Sequence, residues 1–259
     1  MRRVLFSIGK LEIYSYGFSV ALALFLGLIW IGKAIEKRRI GKFDLAVDLA
    51  IQLFLGGLIG ARLFYVITEY SYYLKNPLAV FKVADGGLSF FGMIIGAFIW
   101  GVIYAKRAKL PTWQLADLIA VYLPLGYALA RVGCLLNGCC YGLPSKLPWA
   151  FAIPSVDNLP RHPAQIYAII ASLLIFLILW LLREHRYFPG FLFWFYVELY
   201  AISRFIIEFF RETPVIAFGW LRLTQAFCLL VIAGTTAYII YRFKTGTGVA
   251  RNAPPEIPG

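Results

Sequence analysis

The sequence predicts an all-α integral membrane protein of seven transmembrane helices, and three observations carry that expectation. Hydrophobic residues make up 61% of the 259 residues and charged residues only 15%, with a mean hydropathy of +0.76, a balance too apolar for a soluble domain of this length. The apolar residues gather into seven runs, each near the roughly 20 residues that a spanning helix requires. The basic residues fall mostly between those runs and sort unequally to the two sides.

The runs cover residues 16–33, 47–67, 88–105, 114–136, 164–182, 190–210 and 220–241. The first follows Met1-Arg2-Arg3 without a small-x-small cleavage site at the usual distance, so it is expected to stay as an anchor. The second is diluted by Asp48, Gln52 and Arg62, yet its Gly56-Gly57 and Gly60-Ala61 suit close helix packing. The connections 68–87 and 137–163 are too short for cores of their own, so residues 1–243 read as a single polytopic membrane domain. Residues 244–259, with Pro254, Pro255 and Pro258, read as a disordered cytoplasmic tail.

Basic residues are retained on the cytoplasmic side of a membrane. With the N-terminus outside and the C-terminus cytoplasmic, thirteen of the 25 Lys and Arg lie inside and nine outside, and Arg62, Arg131 and Arg204 remain within the runs. The net charge of +12 then meets anionic lipid headgroups in short loops and calls for no nucleic acid.

Those three arginines are the most informative residues in the chain. A guanidinium cannot escape burial by losing its proton, so each needs a polar cavity, a carboxylate or an anionic ligand. Arg62 and Tyr65 share one helix face, although an arginine near a helix end also snorkels to headgroups. Tyr200, Arg204, Glu208 and Arg211 form a polar stripe along one face of the sixth helix, which Arg211 meets just past the run, and Glu208 is placed to pair with either arginine. A self-neutralised ion-pair ladder competes with an anion site there, and Asp117 is an alternative partner. In Asp85-Gly86-Gly87-Leu88-Ser89, paired glycines before an apolar run allow backbone amides to approach an anion or simply permit packing. Gly133, Gly138 and Gly142 bracket Asn137, which suits a helix that breaks near the outer face. Tyr14-Ser15-Tyr16-Gly17 opens the first run either as an interfacial aromatic belt or as the mouth of a site.

Cys134, Cys139 and Cys140 lack C-x-x-C spacing, and the nearest histidine in sequence is His162. They are expected to pack as small apolar residues and to hold no metal; Cys228 reads the same way.

Taken in order, Gly60-Ala-Arg-Leu-Phe-Tyr65, Gly86-Gly-Leu-Ser-Phe-Phe-Gly92, Arg131-Val-Gly-Cys-Leu-Leu-Asn-Gly-Cys-Cys-Tyr-Gly142, His162-Pro-Ala-Gln-Ile-Tyr167 and Arg204-Phe-Ile-Ile-Glu-Phe-Phe-Arg211 resemble the phosphatidylglycerol:prolipoprotein diacylglyceryl transferases. The similarity covers nearly the whole chain. The resemblance implies a seven-helix bacterial inner-membrane enzyme, N-terminus outside and without a cofactor. Its partners are phosphatidylglycerol within the membrane lipid and the lipobox peptide of a preprolipoprotein. Diacylglyceryl moves to the lipobox cysteine as a thioether, and glycerol 1-phosphate leaves. The family's essential arginines match Arg131 and Arg204, and its polar partners match Tyr16, Asn137, Gly142, Tyr200, Glu208 and Arg211. By motif position, Arg62, Tyr65, Gly87, Ser89 and His162 join the expected substrate-binding set, and Glu208 and Tyr16 the expected catalytic set.

The chain departs from that pattern at four places. Phe91 stands where members have a histidine proposed to activate the thiol, while Cys134, Cys139 and Ala168 replace an asparagine and two glutamates. Two other readings therefore stay open: transfer or hydrolysis acting on another anionic phospholipid, and a non-catalytic lipid-binding or transport protein.

Overall fold

The computed structural model describes residues 4–8, 11–82, 86–153, 156–185, 187–211, 216–217 and 221–245. Asp85 and the tail beyond Thr245 lie outside the described residues. Seven of the described helices have 18 or more residues: α1 (Ser15–Lys37), α2 (Asp44–Thr68), α4 (Phe90–Arg107), α5 (Thr112–Asn137), α6 (Ala164–Leu182), α7 (Phe191–Glu208) and α8 (Leu223–Lys244). Five of them, α1, α2, α5, α6 and α8, are long and apolar enough to cross a membrane. Their side chains look outward in the manner of lipid contact, with Leu230, Phe54 and Ile67 among the most exposed. The seven long helices lie within a few residues of the seven apolar runs.

Short elements also fill the connections. A one-turn helix α3 (Tyr70–Lys75) and a 3-10 turn over Pro77–Phe81 follow α2. Three two-stranded antiparallel hairpins were not anticipated from hydropathy: β1 (Val4–Ile8) with β2 (Leu11–Tyr14), β3 (Phe151–Ile153) with β4 (Asp157–Arg161), and β5 (Ile216–Ala217) with β6 (Leu221–Arg222). They are too short to register in a window the width of a membrane.

The chain divides into two compact units. One comprises Trp30–Leu115 and is built on the packing of α2 against α4. Glycine makes that approach possible, since a Cβ on Gly60 would lie 2.6 Å from the Cα of Gly96, and one on Gly96 the same distance from Gly60.

The other unit comprises Met1–Ile29 and Ala116–Gly259. An apolar cluster of Val121, Ile175, Leu179, Phe188, Phe191 and Leu192 surrounds the start of α7. Asp117 anchors that end, where its carboxylate accepts from Gly190 N at 2.7 Å and Phe193 N at 3.0 Å, an anion set against the positive pole of the helix. Gly190, in the left-handed region at φ 95°, makes the entry turn that aims both amides. Packing and capping thus fix the N-terminal end of α7, and its polar residues are carried toward the other.

Candidate functional site

The polar residues of the larger unit collect where α5 and α7 end and where α1, α6 and α8 begin. On α5, the Arg131 guanidinium stacks over the Tyr127 ring at 4.7 Å, one turn back along the helix. On α7, Tyr200 precedes Arg204 by the same four residues, and the Tyr127 and Tyr200 rings meet edge to face at 5.4 Å and 88°. The two Tyr-x-x-x-Arg pairs therefore touch through their tyrosines.

Arg204 Nη2 lies 2.9 Å from Glu208 Oε2, and Glu208 is fully buried. The contact is one of charge, because neither carboxylate oxygen has a partner in hydrogen-bonding geometry among the described residues. A buried carboxylate held by one lateral contact keeps acceptor capacity in reserve.

Helix α7 stops at Glu208, so Arg211 leaves the stripe drawn through Tyr200, Arg204 and Glu208 and bridges Gly142 in extended pairing. Gly142 N donates to His162 O at 3.0 Å, and Leu143 N to Phe210 O at 2.9 Å. A Cβ on Gly142 would lie 2.6 Å from the His162 Cβ and 2.7 Å from its carbonyl oxygen, so only glycine allows the three segments to close. His162 Nδ1 lies 3.1 Å from the Tyr167 hydroxyl, which accepts from Trp149 Nε1 at 2.8 Å. The Arg211 Nε is buried without a partner among the described residues. Burial, and then the positive charge of Arg204, draw Arg211 below the ordinary arginine value.

Arg222 and Arg161 were not singled out by sequence reasoning. The Arg222 guanidinium donates to the carbonyls of Glu208 and Arg211, capping the C-terminal end of α7 with a cation. Arg161 is buried, pairs with Asp157 at 2.5 Å and donates to Gly142 O at 3.2 Å; the pairing holds the Asp157 carboxyl below its usual range. Tyr127 was missed as well, although the repeated Tyr-x-x-x-Arg spacing was a usable signal. Asn137 is the last residue of α5. Tyr16 lies in the first turn of α1, beside α5, where a Cβ on Gly133 would come within 3.2 Å of the Tyr16 Cα.

The turn after α5 gathers sulfur. Gly138 and Cys140 take left-handed conformations at φ 73° and 62°, and the thiols of Cys134, Cys139 and Cys140 come within 4.8 Å of one another. Hydrogen bonding from Cys134, assisted by the charges of Arg131 and Arg211, lowers the Cys140 thiol to about 5.

Arg62, Tyr65, Gly87 and Ser89 belong to the smaller unit and form an arrangement of their own. Arg62 is buried, and its guanidinium donates to five carbonyls: Val80 at 2.9 Å, Gly86 at 2.7 Å, Gly87 at 3.0 Å, Ala79 at 2.6 Å and Lys82 at 3.0 Å. A Cβ on Gly87 would lie 2.6 Å from the Tyr65 ring and 2.8 Å from Arg62 Nη1. Ser89 caps α4, accepting from Gly92 N at 3.4 Å. Phe91, in the first turn of α4, is exposed.

In the larger unit, the guanidinium groups of Arg131, Arg204 and Arg211 share a neighbourhood with one buried carboxylate and a low-lying thiol, which leaves positive charge in surplus. Such a group of donors can bind a phosphate and stabilise charge that develops on it.

A family model described as prolipoprotein diacylglyceryl transferase matches residues 3–241. The chain is 34% identical over 254 residues to the phosphatidylglycerol–prolipoprotein diacylglyceryl transferase of Geobacter sulfurreducens, covering 94% of this chain and 96% of that one. It is 34% identical over 252 residues to the enzyme of the same name from Clostridioides difficile, with 96% and 99% covered. The protein of that name from Wolbachia pipientis is 35% identical over 249 residues, with 91% and 93% covered.

Proposed function

The chain belongs to the prolipoprotein diacylglyceryl transferase family, and we propose that its chemistry takes place at Arg131, Arg204 and Arg211. It is a membrane enzyme that transfers diacylglyceryl from phosphatidylglycerol to prolipoproteins. The observation that carries the assignment of the site is the meeting of Tyr127-Arg131 with Tyr200-Arg204, beside Arg211, whose Nε is buried and has no partner among the described residues.

In this reading all seven long helices span the bacterial inner membrane with the N-terminus outside, and the site lies toward the outer face. The arginines receive the phosphate of the lipid, and Tyr16, Asn137, Gly142, Tyr200 and His162 line or shape the place where it sits. The lipobox thiolate attacks the glycerol carbon that bears the phosphate ester. A C–S bond forms, the C–O bond breaks, and its electron pair leaves on the phosphate oxygen of glycerol 1-phosphate. The guanidinium groups hold that growing charge through paired hydrogen bonds in a low-dielectric setting. The proton of the thiol leaves before or during attack. With Phe91 in the position of the family histidine, its routes are Glu208, Tyr16, or water driven by the positive field. Arg62 acts as a clamp on the loop after α3, since its donors already meet carbonyls.

The test is purified protein in phosphatidylglycerol vesicles with a lipobox peptide. Glycerol phosphate release that requires the peptide, with a thioether on its cysteine, is the expected result. Release without peptide would indicate hydrolysis, and bound lipid without release would indicate a binding protein.

A further inference from the structure

From the sulfur cluster at the end of α5, we propose that Cys134, Cys139 and Cys140 form a binding site for a thiophilic metal ion, monovalent copper foremost, whose occupancy shuts the neighbouring phosphate site. The coordination part stands on its own; the inhibition rests on the function proposed above.

The three sulfurs already lie within 4.8 Å of one another, and a small inward rotation of side chains brings them around one ion. The turn that gathers them is built for it. Gly138 and Cys140 both adopt left-handed backbone, which a β-branched or bulky residue would resist. Cys139 N donates to Cys134 O at 3.1 Å, closing the turn. Gln165, buried at the start of α6, donates to Cys139 O at 2.7 Å and fixes the turn from outside.

The donor set selects the metal. Three thiols and no imidazole or carboxylate make up the cluster, and all-sulfur ligation favours soft ions. Zinc in structural sites takes four ligands, whereas monovalent copper is satisfied by three thiolates. Binding displaces the thiol protons and leaves a complex of net negative charge. In most membrane settings that charge is prohibitive, but here Arg131 Nη1 lies 4.0 Å from Cys134 Sγ and the guanidinium of Arg211 is close by. The same contacts give the inhibition: an anionic metal–thiolate complex takes up the positive field intended for the lipid phosphate.

The experiment uses the full-length protein, anaerobic and reduced, titrated with monovalent copper against a competing chelator. One ion per protein with sulfur-only coordination by X-ray absorption is expected, retained in Cys228→Ser and lost in each of Cys134→Ser, Cys139→Ser and Cys140→Ser. Absence of stoichiometric binding, or equal binding in the serine variants, overturns the site. Protein loaded and freed of excess metal is then assayed against its own metal-free rate. A tenfold or larger rise in the apparent KM for phosphatidylglycerol, reversed by chelator, is expected. Unchanged kinetics with copper bound overturns the coupling, whereas absence of transfer before loading contradicts the proposed function and leaves the binding result standing.

Discussion

Arg62 and the pair Arg131 and Arg204 begin from the same problem and reach opposite solutions. Each is a guanidinium placed in a helix that runs through apolar surroundings, where an unpaired charge is costly. Around Arg62 the chain folds a loop back so that five carbonyl oxygens face the cation. Around Arg131 and Arg204 it supplies two tyrosine rings, a sulfur at 4.0 Å and one carboxylate. A cation saturated by backbone has no directional bonds to offer a ligand; a cation held by rings and one lateral charge keeps most of its N–H donors. Under the proposed function, the contrast assigns Arg62 to stabilising the fold and Arg131 and Arg204 to the phosphate.

Replacement by lysine should break that comparison most visibly in the larger unit. Arg131→Lys and Arg204→Lys keep the charge but lose the planar fork. Each should lower transfer by about 10²–10³-fold, the cost of one donor to developing negative charge, while the protein stays folded in the membrane. Turnover assays on equal amounts of folded protein decide it. Near-wild-type rates would make these arginines structural as well.

Arg62 should fail the other way. Arg62→Met removes the shared donor of the carbonyls of Ala79, Val80, Lys82, Gly86 and Gly87 and should destabilise the protein by about 1–3 kcal/mol. Turnover per folded molecule should change little. A thermal unfolding midpoint in detergent, measured beside activity, separates the two outcomes; a large loss of rate at unchanged stability would return Arg62 to the binding set.

Part of this contrast was legible in the sequence and part was not. Hydropathy located the seven long helices because apolar runs of that length favour helix, and five of them are long and apolar enough to cross a membrane. Arg62, Arg131 and Arg204 were legible for the same reason, being charges in apolar runs. The fate of Arg62 was hidden, since its acceptors are backbone atoms 17 to 25 residues away, and a backbone carbonyl leaves no trace in residue type. Arg211 was misplaced because helical spacing was continued past Glu208, where the chain turns to pair with Gly142. The sulfur cluster escaped because C-x-x-C spacing assumes a particular loop, whereas left-handed residues at Gly138 and Cys140 bring the thiols together by another route.

Gly142 tests the scaffold that joins Arg211 to the rest. Gly142→Ala places a methyl against His162 and the carbonyl of Phe210, contacts that only backbone movement relieves. The expected result is a loss of transfer smaller than for the arginine variants, about tenfold if the strands part by a fraction of an ångström, with a modest fall in the unfolding midpoint. An alanine variant of full activity would show that the pairing of Gly142 with Arg211 does not position the site.

The smallest effect concerns how the thiol loses its proton, and it sharpens the comparison by asking whether the free arginines also act before phosphate leaves. A cysteine thiol titrates near ~8.5, and only the thiolate attacks, so the rate should rise with pH until the thiol is ionised. Nearby guanidinium groups favour the thiolate and move that rise toward lower pH. If field alone suffices, Glu208→Gln slows turnover only severalfold, because it removes the contact to Arg204 without removing an obligatory base, and Phe91→His is neutral or mildly favourable. If Glu208 is the base, the same variant loses turnover with lipid binding intact, and the wild-type profile follows a carboxyl titration below that of the thiol. The geometry favours the field: Glu208 is fully buried and its carboxylate already lies 2.9 Å from Arg204, whereas a general base must come within hydrogen-bond reach of the thiol it deprotonates. Initial rates of wild type and Glu208→Gln across pH 5 to 9, on the same lipid and peptide, therefore decide whether the arginines serve the leaving phosphate alone or the attacking sulfur as well.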